Sequence, residues 1–349
     1  MKMRALACAA AVALFVCTPC RAETLKLLIW DDYIDPALLE QWKAKTGIDI
    51  QQIYFDSGDK RDEILANPDT GVDLVVIGQV GAAQFGQRGI LEPLTDDNLP
   101  ALKTEQPRWR TQCGRYSVPY FWGTLGIVYR TDKVDPAPTS WNDLLSPAPA
   151  LAGHVAMLGD RNDILVPPLI LEGKSINASD TASLKGAFGR LQGQSKAVLT
   201  YDYVLTSLKD PKLAPQIYMA LAYSGDQKTL NADPTAPGAW RYVLPKEGSL
   251  LWIDCLSVVA KSAHKQAALQ FLDYLSQPAS AAQNALALRQ PTPNAAAMAL
   301  LPEEMRTNPE IFPSDAAVAN SQFYEAPSAE AVQTRKRIMS SLVNFHDAQ

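Results

Sequence analysis

Residues 25–50, LKLLIWDDYIDPALLEQWKAKTGIDI, decide the fold class of this chain. The first six residues form a short apolar run, which is typical of a buried strand. Asp35 and Pro36 then give the pattern of a helix amino terminus, and Gly47 is a residue that commonly ends a helix. Isoleucines at positions 48 and 50 flank a polar residue, which indicates a second strand. The stretch therefore predicts a β-α-β unit.

The same alternation continues beyond residue 50. A polar helix is expected around residues 60–66, a strand at residues 73–77, and a further helix at residues 79–88. The strand Asp-Leu-Val-Val-Ile is apolar enough for burial on both faces. Strands that alternate with helices predict a parallel sheet flanked by helices.

A second block of elements begins near residue 126. The expected strands are residues 154–157, 219–223, 241–244 and 250–253. Residues 139–145 have the pattern of a capped helix start, and further helices are expected at residues 181–191, 265–275 and 330–345. This pattern predicts two α/β lobes. Because open α/β sheets bind ligands at the carboxyl ends of their strands, two facing lobes would form a cleft that closes by a hinge.

The first 22 residues have the pattern of a secretory signal peptide. Lys2 and Arg4 form a positive start, residues 5–16 are apolar, and Cys20-Arg21-Ala22 places small residues where a signal peptidase cleaves. We therefore expect export to the periplasm. A lipid anchor at Cys20 is the alternative, although the preceding Thr18-Pro19 fits a lipidation box poorly.

Composition and charge exclude several classes of protein. The 349 residues are 47% hydrophobic and 20% charged, which is ordinary for a globular chain of about two domains. Loss of the leader removes three basic residues and no acid, so the formal charge changes from −5 to −8. An acidic exported chain is a poor candidate for nucleic-acid binding. Acidity favours a cationic ligand only weakly, since solubility alone explains it.

Cysteine usage leaves two states open. Cys8, Cys17 and Cys20 leave with the leader, and Cys113 and Cys255 remain. Two cysteines in an oxidising compartment form a disulfide if the fold brings them together. Two buried free thiols are the alternative, and the sequence does not decide between them.

Motifs for catalysis and cofactor binding are missing from the sequence. His154, His264 and His346 lie far apart, so we expect no catalytic zinc site. Residues 173–175, Gly-Lys-Ser, resemble the end of a phosphate-binding loop, but Pro168 stands where that loop needs glycine. No Gly-x-Ser-x-Gly nucleophile elbow occurs. We therefore expect no enzyme, no metal site and no cofactor.

Aromatic residues instead stand beside carboxylates where strands are expected to end. Five segments show these residue types: WDDY (30–33), PYFWG (119–123), DRND (160–163), YSGD (223–226) and WID (252–254). Any one tryptophan is more often core packing, and any one aspartate is commonly a helix cap. The coincidence of five segments at the predicted cleft favours a binding site.

Such a set suits a ligand that carries several ammonium groups. Trp and Tyr faces hold methylenes and attract a cation, at about 0.5–2 kcal/mol per contact. Carboxylates accept short charge-assisted hydrogen bonds from ammonium N–H groups. Asp31, Asp160, Asp163 and Asp254 are the candidates for these carboxylates. Closure of the lobes would remove water and strengthen each contact.

From residue 25 to the carboxyl terminus, the chain resembles the periplasmic spermidine/putrescine-binding proteins of ABC transporters, within the iron- and polyamine-type solute-binding superfamily. The segments that match are WDDYI (30–34), LLEQ (38–41), KTGI (45–48), DLVV (73–76), VPYFWGT (118–124), TSWNDL (139–144), PKEG (245–248), LWID (251–254) and PTPN (291–294). The resemblance implies a two-lobed α/β periplasmic binding protein fold of type II, with a mixed sheet flanked by helices in each lobe, a hinge and a central ligand cleft. We predict residues 23–128 with 251–298 as the first lobe, and 129–250 with 299–349 as the second.

The resemblance also implies a ligand-binding set. Its predicted members are Trp30, Asp31, Tyr33, Trp122, Asp160, Asp163, Tyr223, Trp252, Asp254, Gln290 and Tyr324. By the family pattern, Trp252 stacks on the ligand chain and Asp254 is the central carboxylate. Asp160 and Asp163 fall where the family places two acids for a terminal amine.

Several positions depart from the family pattern. Asp31 replaces a hydroxyl or small polar residue, Tyr223 replaces a tryptophan, and Gln290 replaces a tyrosine. Residues 77–80, Ile-Gly-Gln-Val, lack the hydroxyl residue and tyrosine that support the first amine. The predicted ligand is a polyamine, and a guanidino compound or an acylated or shorter diamine is the alternative.

Three functions follow from the sequence. The first is a monomeric binding protein that delivers a small cationic amine to the permease subunits of an ABC transporter. The second is a sensor of the same fold that acts through a membrane receptor. The third, an enzyme with the cleft acids as an acid/base pair, lacks any nucleophile or metal set to support it.

Overall fold

The computed structural model describes residues 23–234 and 239–348, so the predicted signal peptide lies outside the described residues. Within these ranges, nine strands form one sheet in the order β2-β1-β3-β9-β4-β7-β5-β6, and β8 also pairs with β4. The strands are β1 (Thr24–Ile29), β2 (Asp49–Tyr54), β3 (Leu74–Gly78), β4 (Val118–Arg130), β5 (Val155–Ala156), β6 (Val198–Thr200), β7 (Met219–Tyr223), β8 (Trp240–Val243) and β9 (Leu251–Val258).

Helices cover both faces of this sheet. The α-helices of the described residues are α1 (Pro36–Thr46), α2 (Gly58–Ala66), α3 (Gln79–Gln87), α4 (Pro107–Cys113), α5 (Trp141–Leu145), α6 (Val166–Leu171), α7 (Thr181–Gln194), α8 (Val204–Ser207), α9 (Asp226–Ala232), α10 (Lys265–Ser276), α11 (Pro278–Leu288), α12 (Ala295–Leu300), α13 (Glu303–Arg306), α14 (Asp315–Val318) and α15 (Ala329–Asp347). Short 3-10 helices occupy Pro68–Thr70, Pro100–Thr104, Pro149–Leu151, Asp163–Leu165, Ser195–Ala197 and Ala214–Gln216. Among the residues described, no helix combines the length and the apolarity that crossing a bilayer demands.

The opening β-α-β unit is confirmed. The Asp35 carboxylate accepts the backbone N–H of Ala37 at the start of α1. Gly47 ends the helix at φ +75°, a left-handed conformation that glycine adopts without steric cost. β1 pairs in parallel with β2 and with β3, as the alternation of elements predicts.

Two strands cross from one half of the sheet to the other. The amino-terminal part of β4 pairs with β9, and its carboxyl-terminal part pairs with β7 and β8. β9 also pairs with β3, in the antiparallel direction. The second block expected from near residue 126 stays a prediction, and this residue lies where β4 exchanges β9 for β7 as its partner. The first eleven residues of β4 are all buried, as suits a strand covered on both faces.

Two main hydrophobic cores lie on either side of the crossover strands. The first includes Leu27, Leu74 and Phe271, and we call the half of the molecule around it the first lobe. The second includes Trp141 and Leu221, and the half around it is the second lobe. Strands β1, β2 and β3 belong to the first lobe, and β5, β6 and β7 belong to the second.

The limits of the lobes stay a prediction, with one adjustment. Leu301, Met305 and Ile311 pack in the first core, whereas the boundary predicted at residue 298 assigns them to the second lobe. Leu342 in α15 does pack in the second core. We propose that the chain returns to the second lobe after residue 312, because the packing of apolar side chains defines a lobe.

A disulfide joins Cys113 at the end of α4 to Cys255 in β9, with Cα atoms 5.8 Å apart. Of the two states that the sequence leaves open, the structure shows the pair. The bond sits in a small apolar cluster with Trp109 and Trp122, whose rings stack at 4.4 Å. It therefore fixes α4 against a crossover strand.

Candidate functional site

Asp254 lies at the edge of the sheet where β1 and β3 end. The expectation that Asp254 follows a strand is wrong, because β9 runs from residue 251 to 258 and contains it. β9 is antiparallel to β3, and Asp254 pairs with Gly78, the last residue of β3. The amino-terminal half of β9 therefore reaches the same edge as the carboxyl end of β3.

Two aromatic donors from the first lobe hold the Asp254 carboxylate. The Tyr33 hydroxyl donates to Oδ2 at 3.0 Å, and the Trp30 indole also hydrogen-bonds to the carboxylate. Burial raises the pKa of Asp254 above its ordinary value, while the positive charge of Arg61 and these two hydrogen bonds oppose the rise. Trp30, Tyr33 and Asp254 thus come together as predicted.

A second carboxylate centre lies in the second lobe, at Asp163, the first residue of the 3-10 helix that follows β5. Asp163 is 7% exposed. The Tyr324 hydroxyl donates to Oδ1 at 2.6 Å, and the Tyr223 hydroxyl donates to Oδ2. Burial, assisted by the charge of Asp160, raises the pKa of Asp163 to about 7, against the two phenol hydrogen bonds. Three predicted residues, Asp163, Tyr223 and Tyr324, therefore form one cluster.

Asp160 shapes the turn that carries Asp163. It is exposed, and its Oδ1 accepts the backbone N–H groups of Asn162 at 2.7 Å and Asp163 at 3.0 Å. This is the capping role that the sequence left open as an alternative. Its carboxylate still acts on Asp163 through its charge.

Trp252 lies between the two carboxylate centres. Its indole packs on the first core, and its ring meets the Tyr223 ring edge-on, with centroids 6.5 Å apart. A Cβ at Gly123 in β4 would lie 2.3 Å from the Trp252 ring, so only glycine admits the indole there. The contact between the Trp252 ring, which packs on the first core, and the Tyr223 ring, which packs on the second, therefore joins the two lobes.

Gln290 approaches the second lobe from the loop after α11. Its Nε2 lies 2.7 Å from where a Cβ on Gly225 would stand, and Gly225 has φ +106°. Its Oε1 is buried and finds no hydrogen-bond partner within residues 23–234 and 239–348. Gln290 therefore places a hydrogen-bond acceptor that lacks a donor, its Oε1, where the first lobe meets the second.

Two predicted residues lie apart from these clusters. Asp31 is exposed, and its carboxylate accepts the backbone N–H of the neighbouring Asp32 at 3.1 Å. Trp122 is 7% exposed and stacks on Trp109 in the cluster around the disulfide. Successive side chains in a strand point to opposite faces. Trp122 therefore packs with Ile253, on the face away from Asp254.

Sequence reasoning missed Arg61, in α2. Its side chain is 11% exposed, and its guanidinium carbon lies 5.8 Å from the centre of the Phe55 ring. The Phe55 ring in turn lies 4.2 Å from the Trp30 ring. Arg61 thus brings a fixed cation to the Asp254 end of the site. The polar helix was expected, but no local pattern marks which of its residues turns toward the cleft.

The donor set suits an organic cation better than a metal ion. Over residues 23–234 and 239–348, no group of three His, Cys, Asp or Glu side chains could hold a metal. Each carboxylate is instead bordered by aromatic hydroxyl and indole groups. An alkyl-ammonium needs this combination of charge acceptors and flat apolar faces.

Comparisons with known proteins identify the family of this chain. Residues 37–313 match the model of the bacterial extracellular solute-binding protein family. A norspermidine sensor of Vibrio cholerae is 33% identical over 335 residues, which cover 96% of this chain and 92% of the sensor. The spermidine/putrescine-binding periplasmic protein of Escherichia coli is 26% identical, over 86% of each chain.

Solved structures show the same fold. The substrate-binding protein of a spermidine/putrescine ABC transporter from Streptococcus pneumoniae has a TM-score of 0.81 and 24% identity, and the match covers 93% of this chain and 99% of that one. The predicted two-lobed type II periplasmic binding protein fold is therefore confirmed. This chain belongs to the family of bacterial extracellular solute-binding proteins.

Proposed function

We propose that this protein captures a polyamine cation between its lobes and delivers it to the permease subunits of an ABC transporter. The observation that carries the proposal is a pair of carboxylates, one on each lobe: the half-buried Asp254 and the buried Asp163. Each has aromatic donors around it, and the Trp252 and Tyr223 rings lie between them.

Electrostatics favour an ammonium ligand at both centres. Burial raises the pKa of both carboxyl groups, so the ionised forms lack compensation by solvent. An ammonium group placed on each carboxylate supplies that compensation through charge-assisted hydrogen bonds. The methylenes between the nitrogens then lie on the Trp252 and Tyr223 rings. A ligand with two or more separated amines satisfies both ends at once.

The named relatives support the same class of ligand. Proteins named for spermidine, putrescine and norspermidine are similar over 86% or more of this chain. The proposal places the protein in the periplasm, after cleavage of the leader, as a monomer with no catalytic step. Mass spectrometry of the amine recovered after incubation tests the last point, because catalysis would change its mass.

Sensing is a second candidate function. It is favoured by the 33% identity to the norspermidine sensor. In this case the closed protein docks on a membrane receptor rather than on a permease. Permease and ATPase genes beside this gene would favour transport, and a neighbouring receptor kinase or cyclase gene would favour sensing.

A thermal-shift panel on residues 23–349 tests the ligand class. The panel holds putrescine, cadaverine, spermidine, agmatine, arginine and betaine. A ligand at about 100 times its dissociation constant stabilises the folded state by about 2.7 kcal/mol. We expect at least one polyamine to raise the melting temperature. Stabilisation by arginine or betaine, with no effect of putrescine, cadaverine, spermidine or agmatine, would contradict the proposed ligand and leave the fold untouched.

A further inference from the structure

An ion pair joins the two lobes at the rim of the cleft. Arg161, in the turn after β5 of the second lobe, donates from Nη1 to Asp59 Oδ2 at 3.2 Å and from Nη2 to Oδ1 at 3.3 Å. Asp59 lies in the first turn of α2, in the first lobe. Two parallel bonds between a guanidinium and a carboxylate fix orientation as well as distance.

Neighbouring residues place further charges of opposite sign near each member of this pair. Lys336 in α15 acts on Asp59, and together with the Arg161 hydrogen bond, which contributes most, it lowers the pKa of that carboxyl. Asp160 and Asp62 act on Arg161, whose pKa is raised, chiefly by its hydrogen bond to Asp59. Both partners are therefore charged across the physiological pH range.

The pair is tied closely to both carboxylate centres. Arg161 lies between Asp160 and Asp163, in a turn that the Asp160 carboxylate fixes by two backbone hydrogen bonds. Asp59 lies two positions before Arg61, whose charge acts on Asp254. A lobe movement that separates Asp59 from Arg161 therefore also moves Asp163 away from the first-lobe half of the site.

We propose that Asp59 and Arg161 form a clamp that holds the lobes closed over the ligand, and that this clamp determines how slowly the ligand leaves. The identity of the ligand in this proposal rests on the proposed function, whereas the closure of the lobes by the ion pair does not. A clamp of this kind stabilises the closed form without touching the ligand. Its loss therefore weakens every ligand by the same factor, whatever the number of ammonium groups.

The test measures dissociation constants and dissociation rates for one diamine, putrescine, and one triamine, spermidine. Because Asp59 is 71% exposed, we expect Asp59→Asn and Arg161→Gln to raise both dissociation constants equally, by about two- to fivefold. The change should appear in the dissociation rate. Asp59→Lys, which faces Arg161 with a like charge, should cost about tenfold. Asp59→Lys combined with Arg161→Glu should recover most of the loss.

A matched control lies within one lobe. Arg130 and Asp132 form an ion pair at 2.7 Å that does not cross the cleft, so Asp132→Asn should leave both amines unchanged. Unchanged dissociation rates in Asp59→Asn and Arg161→Gln, or no recovery in the exchanged pair, would overturn the clamp. Unequal losses for putrescine and spermidine would overturn it as well, since they indicate an effect that depends on ligand charge.

Small-angle scattering separates this proposal from the proposed function. Without any ligand, Asp59→Lys should give a larger radius of gyration than the wild type, because the clamp closes the lobes by itself. Equal radii would overturn the clamp even if amines bind. A larger radius in a protein that binds no amine would support the clamp while the ligand proposal fails.

Discussion

The hydroxyl of Tyr33 lies 3.0 Å from Oδ2 of Asp254, although 221 positions separate the two residues in the chain. Tyr33 follows β1, and Asp254 lies in a crossover strand that runs antiparallel to β3. The second lobe repeats this arrangement, because the Tyr324 hydroxyl donates to Asp163, from which it is separated by 161 positions in the chain. Each lobe therefore supplies one carboxylate fixed by a phenol from a distant segment.

Amine binding should release protons near neutral pH. Burial raises the pKa of Asp163 to about 7 and also raises that of Asp254. An ammonium ligand favours the ionised carboxylates and so lowers both pKa values, which means that the free protein holds protons that the complex loses. Affinity should therefore fall as pH drops from 8 to 6. Calorimetry in buffers of different ionisation enthalpy measures the release, and a binding heat that is independent of the buffer would contradict it.

Two tryptophans in the crossover strands should behave differently. Trp252→Leu removes the ring beside Tyr223 and should weaken polyamine binding about tenfold, with a smaller loss of stability than Trp122→Leu because Trp252 is only partly buried. Trp122→Leu removes a ring stacked on Trp109 and should lower the free energy of unfolding by about 2–4 kcal/mol. Urea unfolding and amine titration of both variants check this. Equal losses of affinity would place Trp122 in the site.

The disulfide should stabilise the fold without contributing to ligand contacts. Replacing Cys113 and Cys255 together by serine should lower the free energy of unfolding by about 2–5 kcal/mol, because the link restricts a long loop of the unfolded chain. The amine dissociation constant should change less than threefold. Chemical denaturation and titration of the double variant measure the two effects. A large loss of affinity would show that α4 helps to position Asp254.

Arg61 should weaken polycation binding at the Asp254 end. Arg61→Gln removes a fixed positive charge that acts on Asp254, so affinity for spermidine at pH 8 should rise about three- to tenfold. Arg88→Gln, in the same lobe and exposed, is the control and should change little. Weaker binding in Arg61→Gln would instead show that the guanidinium organises the site.

Local signals explain what the sequence could predict. The helix start at Asp35 and the helix end at Gly47 depend on neighbouring residues only, and both are observed. Tyr33, Asp163 and Asp254 stand out in the sequence because aromatic residues and carboxylates occur together in their segments, and the resemblance adds their expected roles. The contacts of Tyr33 with Asp254 and of Tyr324 with Asp163 have no local pattern, because these segments lie far apart in the chain.

The errors have physical causes. The first eleven residues of β4 are buried throughout, so no alternation of polar and apolar residues shows which way Trp122 points. Asp254 was expected after its strand because antiparallel pairing with β3 leaves no mark in the sequence. The pairing of Cys113 with Cys255 and the approach of Arg61 to Asp254 likewise depend on tertiary packing.

Calorimetric titration of residues 23–349 with spermidine, in the wild type and in Asp254→Asn, measures whether the Asp254 carboxylate receives the ligand. Asp96→Asn, which removes a surface partner of Arg110, is the matched control. We expect binding by the wild type and the control, and a loss of at least about a hundredfold in Asp254→Asn with its circular dichroism spectrum unchanged. Undiminished binding by Asp254→Asn would contradict the claim that this carboxylate receives the ligand.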